Sequence, residues 1–167
     1  MQNIASLKDV FITGLSDIYD AEQQLVAALP KLTEAASNAK LAEGFRRHLQ
    51  ETEGQIGRIH RVVAGLNLRL EKKTCAAMQG LTQEADEVIS SLKKGPVRDS
   101  MLIAGAQKVE HYEMASYGFL VELAKKLGFH NAAQLLQDTL TEEKATDEKL
   151  NKIAISDVND QAMRTAA

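Results

Sequence analysis

The chain has one cysteine, two prolines and no tryptophan, and aromatics make up only 4% of its 167 residues. A single cysteine, Cys75, excludes an internal disulfide and a cysteine-based zinc site within the chain. It reads as a small, semi-buried apolar residue. Strand-like runs of β-branched and aromatic residues are absent, which argues against a β fold. The net charge is only -3, and lysines and arginines are mixed with acids rather than clustered, so nucleic acid is an unlikely partner. No apolar run approaches the ~20 residues needed to span a bilayer. The opening MQNIASLKDVFITGL lacks both the basic start and the unbroken apolar stretch of a signal peptide. These absences leave a cytoplasmic protein with no membrane partner as the expectation.

What is present is helix-forming: Ala, Leu, Glu, Gln and Lys dominate. At this length the simplest organisation is one domain over residues 1–167, with a core of about 6–155, and folding hides roughly 70% of the extended chain's surface. Ser6 and Asp9 form a capping-box-like start. Apolar residues recur at helical spacing from there to about residue 37, with a kink expected at Pro30. Ser37-Asn38 marks a turn, and a second helix runs over about 39–63. After the basic linker LRLEKK, a shorter amphipathic segment covers about 74–92. A third long helix opens at Pro96 and runs to Leu127, with Gly128 at its C′ position. The fourth, capped by His130 or Asn131, extends to about residue 155, and the polar tail beyond is expected to fray.

Short turns force antiparallel neighbours, so the pattern predicts an all-α fold of two helical hairpins. The long crossover between them carries an extra short helix, and the second and third long helices run in the same direction. That is the topology of a ferritin-like four-helix bundle.

Each long helix breaks its apolar stripe with acid. Stepping three or four residues at a time gives Leu15, Ile18, Glu22, Leu25, Leu29 on the first and Ile103, Ala106, Glu110, Glu113, Tyr117, Leu120 on the third. The fourth gives Leu136, Leu140, Glu143, Asp147, Leu150. The second gives Leu41, His48, Glu51, Gln55, Val62, although Phe45, Leu49, Ile56 and Ile59 could equally define its core face. Distances from the turns place Glu22 level with Glu51, Glu113 with Glu143, and Glu110 with Asp147.

Buried carboxylates cost several kcal/mol each unless paired or coordinated, and these stripes carry no Arg or Lys partners. Divalent metal ions are the natural counterions, two of them sharing bridging glutamates. The candidate ligands are Glu22, Glu51, Glu110, Glu113 and Glu143, with Gln55 and Asp147 as further donors and iron or manganese as the ion.

The segments DIYDAEQQL, HLQETEGQI, KVEHYEMASYG and LTEEKATDEKL resemble, in order and spacing over nearly the whole chain, those of the YciE/YciF family of bacterial stress-response proteins. That family is ferritin-like and distantly similar to rubrerythrin. The resemblance implies a stress-linked homodimer with a candidate two-metal centre; the reaction such a centre would carry, if any, is oxidation of ferrous iron or reduction of a peroxide. By motif, Glu22 matches the glutamate of the first ferritin-like helix and Glu51 the leading glutamate of the second. Glu110 and Glu113 match the Glu-x-x-Glu of the third, and Glu143 the leading glutamate of the fourth. The pattern departs where Glu-x-x-His is expected, because Gly54 and Thr146 stand three residues after Glu51 and Glu143. Gln55 and Asp147 are the nearest substitutes, and His48 could join from the other side. Such a histidine-poor site favours harder ions.

Other residues read more plainly. Glu53, Glu142 and Glu148 fit solvated positions. His60 fits the surface and His111 a packing role, while Tyr117 is best placed to hydrogen-bond a ligand glutamate. The rival reading is a non-catalytic bundle that acts by assembly or partner binding and keeps a relic of a metal site.

Overall fold

In the computed structural model, residues 4–165 are described and all their regular structure is helical. Helix α1 spans Leu7–Ala35 and starts with the predicted capping box, Asp9 N–H donating to Ser6 Oγ at 3.2 Å and Ser6 N–H to Asp9 Oδ2 at 2.9 Å. Pro30 sits exposed inside α1, which continues past it. Helix α2, Ala39–Gly65, is capped by Asn38, whose side-chain oxygen accepts from the N–H groups of Lys40 and Leu41. Helix α3, Ala76–Ser91, is the short one, and α4, Pro96–Lys126, has its proline at the first turn, where no N–H is needed. Gly128 takes φ +74 in the left-handed region beyond α4, as a C′ glycine does.

Helix α5, His130–Ile153, begins with His130 as its first helical residue. Phe129 stands at the cap position and no side chain caps the helix, so neither His130 nor Asn131 serves as the cap.

Where the sequence suggests a frayed tail beyond residue 155, the described residues stay helical to Thr165. A π-helical turn, Ala154–Val158, leads into helix α6, Asn159–Thr165. Val158 is fully buried, Asn38 Nδ2 donates to Asp157 Oδ2 at 3.0 Å, and Ser100 Oγ donates to Asn159 Oδ1 at 2.9 Å. One buried valine and two polar ties are enough to hold a segment whose composition alone looked like tail.

Helices α1 and α2 form one hairpin and α4 and α5 the other; α2 packs on α5, α1 on α4, and α3 covers the α1/α4 seam. Asp99 shows how the hairpins register. It lies buried in the first turn of α4 and accepts from Ser37 N–H at 2.8 Å, Ser37 Oγ at 2.5 Å and Asn38 N–H at 2.8 Å. The start of α4 is thereby held against the start of α2, and the two run in the same direction. Beside it, Arg98 donates to the carbonyl of Ala35 at 2.6 Å.

The crossover is pinned to α1 by Glu71 N–H on Ser16 Oγ, by Lys73 on Asp17, and by Cys75 N–H on Asp20. The core runs the bundle's length through Phe11, Leu15, Leu29, Leu41, Ile59, Ile103, Leu120 and Leu136. Among the described residues, no helix is long and apolar enough to cross a membrane.

Candidate metal centre

Midway along the bundle the apolar core gives way to acid. Glu22 from α1, Glu110 and Glu113 from α4, and Glu143 from α5 are all buried, each 0% or 1% exposed. Four of the seven predicted residues are thus enclosed in the bundle core. His48 of α2 joins them: one potential ligand atom from each of His48, Glu110, Glu113 and Glu143 lies within 4.8 Å of the others. His48 Nε2 stands 3.2 Å from Glu110 Oε1. Tyr117, one helical turn beyond Glu113 and fully buried, donates its hydroxyl to Glu22, the role its position predicted.

Three predicted residues are placed differently. The buried face of α2 is Leu41, Phe45, His48, Thr52, Gln55, Ile59 and Val62, so Glu51 falls one residue off it. Glu51 is half-buried and accepts from Arg47 Nε at 2.8 Å. Asp147 also lies at the margin, accepting from Gln107 Nε2 at 3.1 Å, and Thr146 takes the inward position on α5. Gln55 is fully buried but acts as a donor, its amide nitrogen reaching Glu143 Oε1 at 2.5 Å and Glu142 Oε2 at 3.2 Å. The inward pairs three apart are therefore Thr52 with Gln55 and Glu143 with Thr146, in the slots where di-iron bundles carry Glu-x-x-His.

The electrostatics follow from this packing. Burial, then the charge of Glu143, pushes the carboxyls of Glu22 and Glu110 well above the ordinary range. Burial, then the charge of Glu22, does the same to Glu113. Glu143 is raised by burial to about 7. Burial lowers His48 to about 4, so its imidazole is neutral near pH 7, the form that ligates metals.

Many polar atoms here have no partner. Glu22 Oε2, both oxygens of Glu113, Oε2 of Glu110 and of Glu143, Gln55 Oε1 and both His48 ring nitrogens are buried without a hydrogen bond. In a protein interior such atoms are nearly always satisfied. An unsatisfied set this dense, made of carboxylate oxygens and a neutral imidazole, matches the donor preferences of first-row divalent ions. Beside it, an apolar cavity of about 50 Å³ between Leu29, Phe45, Leu102, Ala106 and Leu150 reaches His48 and Glu110.

Sequence reasoning left His48 as a secondary option and passed over Thr52. The available signal was the spacing of Leu41, Phe45, His48, Thr52 and Gln55, an unbroken three-or-four repeat that excludes Glu51.

Comparison with known proteins agrees with this architecture. The family model for a domain of unknown function (DUF892) matches residues 6–163. Protein YciF of Escherichia coli K12 is 55% identical over 165 residues, covering 98% of this chain and 99% of its own. The crystal structure of the E. coli stress protein YciF superposes with a TM-score of 0.91 at 56% identity, covering 93% of this chain and 99% of that one. YcfI from Rhodopseudomonas palustris gives a TM-score of 0.87 at 42% identity, over 92% and 98% of the two chains. The chain belongs to the YciF-type family, whose DUF892 domain it carries over residues 6–163.

Proposed function

We propose that this protein binds two divalent metal ions, iron or manganese, among Glu22, His48, Glu110, Glu113 and Glu143. The observation that carries the reading is the set of buried, unpartnered carboxylate oxygens and imidazole nitrogens at the centre of the bundle. Charge supports the number: four ionised glutamates carry four negative charges, which two divalent cations balance. Glu22 adds its charge to the environment of Glu113, and His48 Nε2 lies 3.2 Å from Glu110 Oε1. Tyr117 fixes the orientation of Glu22 through its hydroxyl, and Gln55 does the same for Glu143.

Bound iron or manganese would supply one-electron redox chemistry, which suits ferrous-iron oxidation or peroxide reduction under stress. The chain's own contribution is to hold the carboxylates away from solvent and to keep the imidazole neutral. The reading extends to a cytoplasmic homodimer. A cytoplasmic setting is supported by Cys75, which is free and buried, as is usual where thiols stay reduced. Light scattering in solution tests the dimer.

A second reading, a non-catalytic bundle that retains a relic site, is favoured by Thr52, Gln55 and Thr146 in the slots of stronger ligands. Metal counting separates the two. Protein purified without chelator and loaded anaerobically with ferrous or manganous ion should retain about two ions per chain, and Glu110→Ala and Glu143→Ala should lose them. Retention with no peroxide or dioxygen consumed supports the relic; no retention removes the metal reading.

A further inference from the structure

We propose that Glu142, with Glu51 beside it, is a capture site through which divalent cations pass from solvent to the buried carboxylates, and that Arg58 closes it until a cation arrives. The inference rests on the metal-binding reading above and assigns that centre its route of loading.

A surface basin of about 300 Å³ lies between α2 and α5, lined by Arg47, Gln50, Glu51, Gly54, Arg58 and Glu142. Glu142 is gripped there by Arg58 in a bidentate pair, NH1 to Oε2 at 2.7 Å and NH2 to Oε1 at 2.5 Å. Behind it, the fully buried Gln55 donates from one amide nitrogen to both Glu142 at 3.2 Å and Glu143 at 2.5 Å. Arg58, Glu142, Gln55 and Glu143 thus form an unbroken polar chain from solvent to the centre.

The physical need for such a chain is clear. A divalent ion cannot cross an apolar wall without losing solvation worth many kcal/mol, so its path must offer oxygen at each step. The cavity beside Leu29, Phe45 and Leu102 also reaches the centre and shares Arg47 and Glu51 with the basin, but the rest of its wall is mainly hydrocarbon. On the α2/α5 side, Glu51 and Glu142 line the basin, and behind Glu142 stands the buried Gln55 amide, whose Oε1 has no partner. Gly54 adds no side chain to obstruct the basin.

The Arg58–Glu142 pair is suited to opening. Its side chains are 22% and 30% exposed, so dissolved ions can compete for the carboxylate. A divalent cation attracts Glu142 with twice the force of a guanidinium at equal separation. Arg58 NH1 also donates to Thr139 Oγ1 at 3.2 Å, which retains the arginine when Glu142 is released.

The test is the kinetics of loading. Metal-free full-length protein is mixed with cobalt(II) in a stopped-flow instrument, uptake is followed by the ligand-field absorption, and bound cobalt is counted at the end point. Glu142→Gln is expected to slow uptake roughly tenfold or more while reaching the wild-type end point. Arg58→Gln is expected to load faster than wild type, again to the same end point, and Glu51→Gln to slow loading less than Glu142→Gln. Circular dichroism confirms that each variant is folded. Glu142→Gln loading at the wild-type rate, to either the same or a lower end point, would overturn the proposal, as would slower loading of Arg58→Gln. A wild-type protein that takes up no cobalt would instead overturn the metal reading, and with it this one.

Discussion

Removing the charge of Glu113 should change how stability depends on pH. Both oxygens of Glu113 are buried and unpartnered, and burial together with Glu22, Glu143 and Glu110 holds its pKa far above the ordinary 4.5. In metal-free protein the folded state therefore keeps a proton on this carboxyl at pH values where the unfolded chain has lost it. The sign follows: this contribution to stability is full below 4.5 and is lost as pH rises toward the folded value. Each retained proton lowers stability by about 1.4 kcal/mol per pH unit. Glu22 and Glu110 are shifted the same way and steepen the slope. His48 acts oppositely, but only between about 4 and 6.5, because above 6.5 it is neutral in both states. Urea unfolding between about pH 7 and pH 8 with chelator present isolates the carboxyls. Wild type should lose stability as the pH rises over that unit, and Glu113→Gln should lose less, because it has no carboxyl to hold a proton there. Metal-free wild-type protein with constant stability from pH 7 to pH 8 would refute the reasoning.

Three further outcomes follow from the same geometry. Manganese(II) at about 100 times its Kd should stabilise the protein by about 2.7 kcal/mol for each ion bound and flatten the alkaline slope, read by urea unfolding at pH 8. Tyr117→Phe removes the hydroxyl donated to Glu22 and should weaken metal affinity about tenfold to a hundredfold with the fold intact, measured by calorimetric titration alongside circular dichroism. Asp99→Ala leaves the N–H groups of Ser37 and Asn38 without their acceptor where the two hairpins meet. It should cost about 3 kcal/mol in urea unfolding and leave metal stoichiometry unchanged.

The helices that the sequence resolves best are those whose stripes are least ambiguous. On α1, Leu15, Ile18, Glu22, Leu25 and Leu29 allow one phase only, and Glu22 is buried as that phase requires. On α4 the stripe through Glu110, Glu113 and Tyr117 is equally determined. Helix α2 is different because two apolar repeats overlap on it, and each residue turns the helix by about 100°. Choosing the repeat that contains Glu51 rather than the one that contains Thr52 moves the inward carboxylate to the rim. The same slip affects α5, where the stripe drawn from sequence passes through Asp147, the nearest substitute for a histidine, while Thr146 holds the inward position. A metal-site motif drawn from residue type alone prefers the acid, but packing selects by position.

Tertiary contacts account for the rest. The C-terminal helix depends on Val158 finding a buried place and on Asn38 and Ser100, which lie 119 and 59 residues away in the chain from their partners. No local pattern records those contacts. The crossover is held by Ser16, Asp17 and Asp20 of α1, and the partners of Ser16 and Asp20 lie 55 residues away in the chain.

The most direct test of the central claim is to locate the ions. Crystals of the protein grown with manganese(II), measured at an energy where manganese scatters anomalously, should show two peaks per chain enclosed by Glu22, His48, Glu110, Glu113 and Glu143, with Glu51 and Asp147 outside. Anomalous maps with no peak inside the bundle, from protein saturated with manganese, would contradict the account.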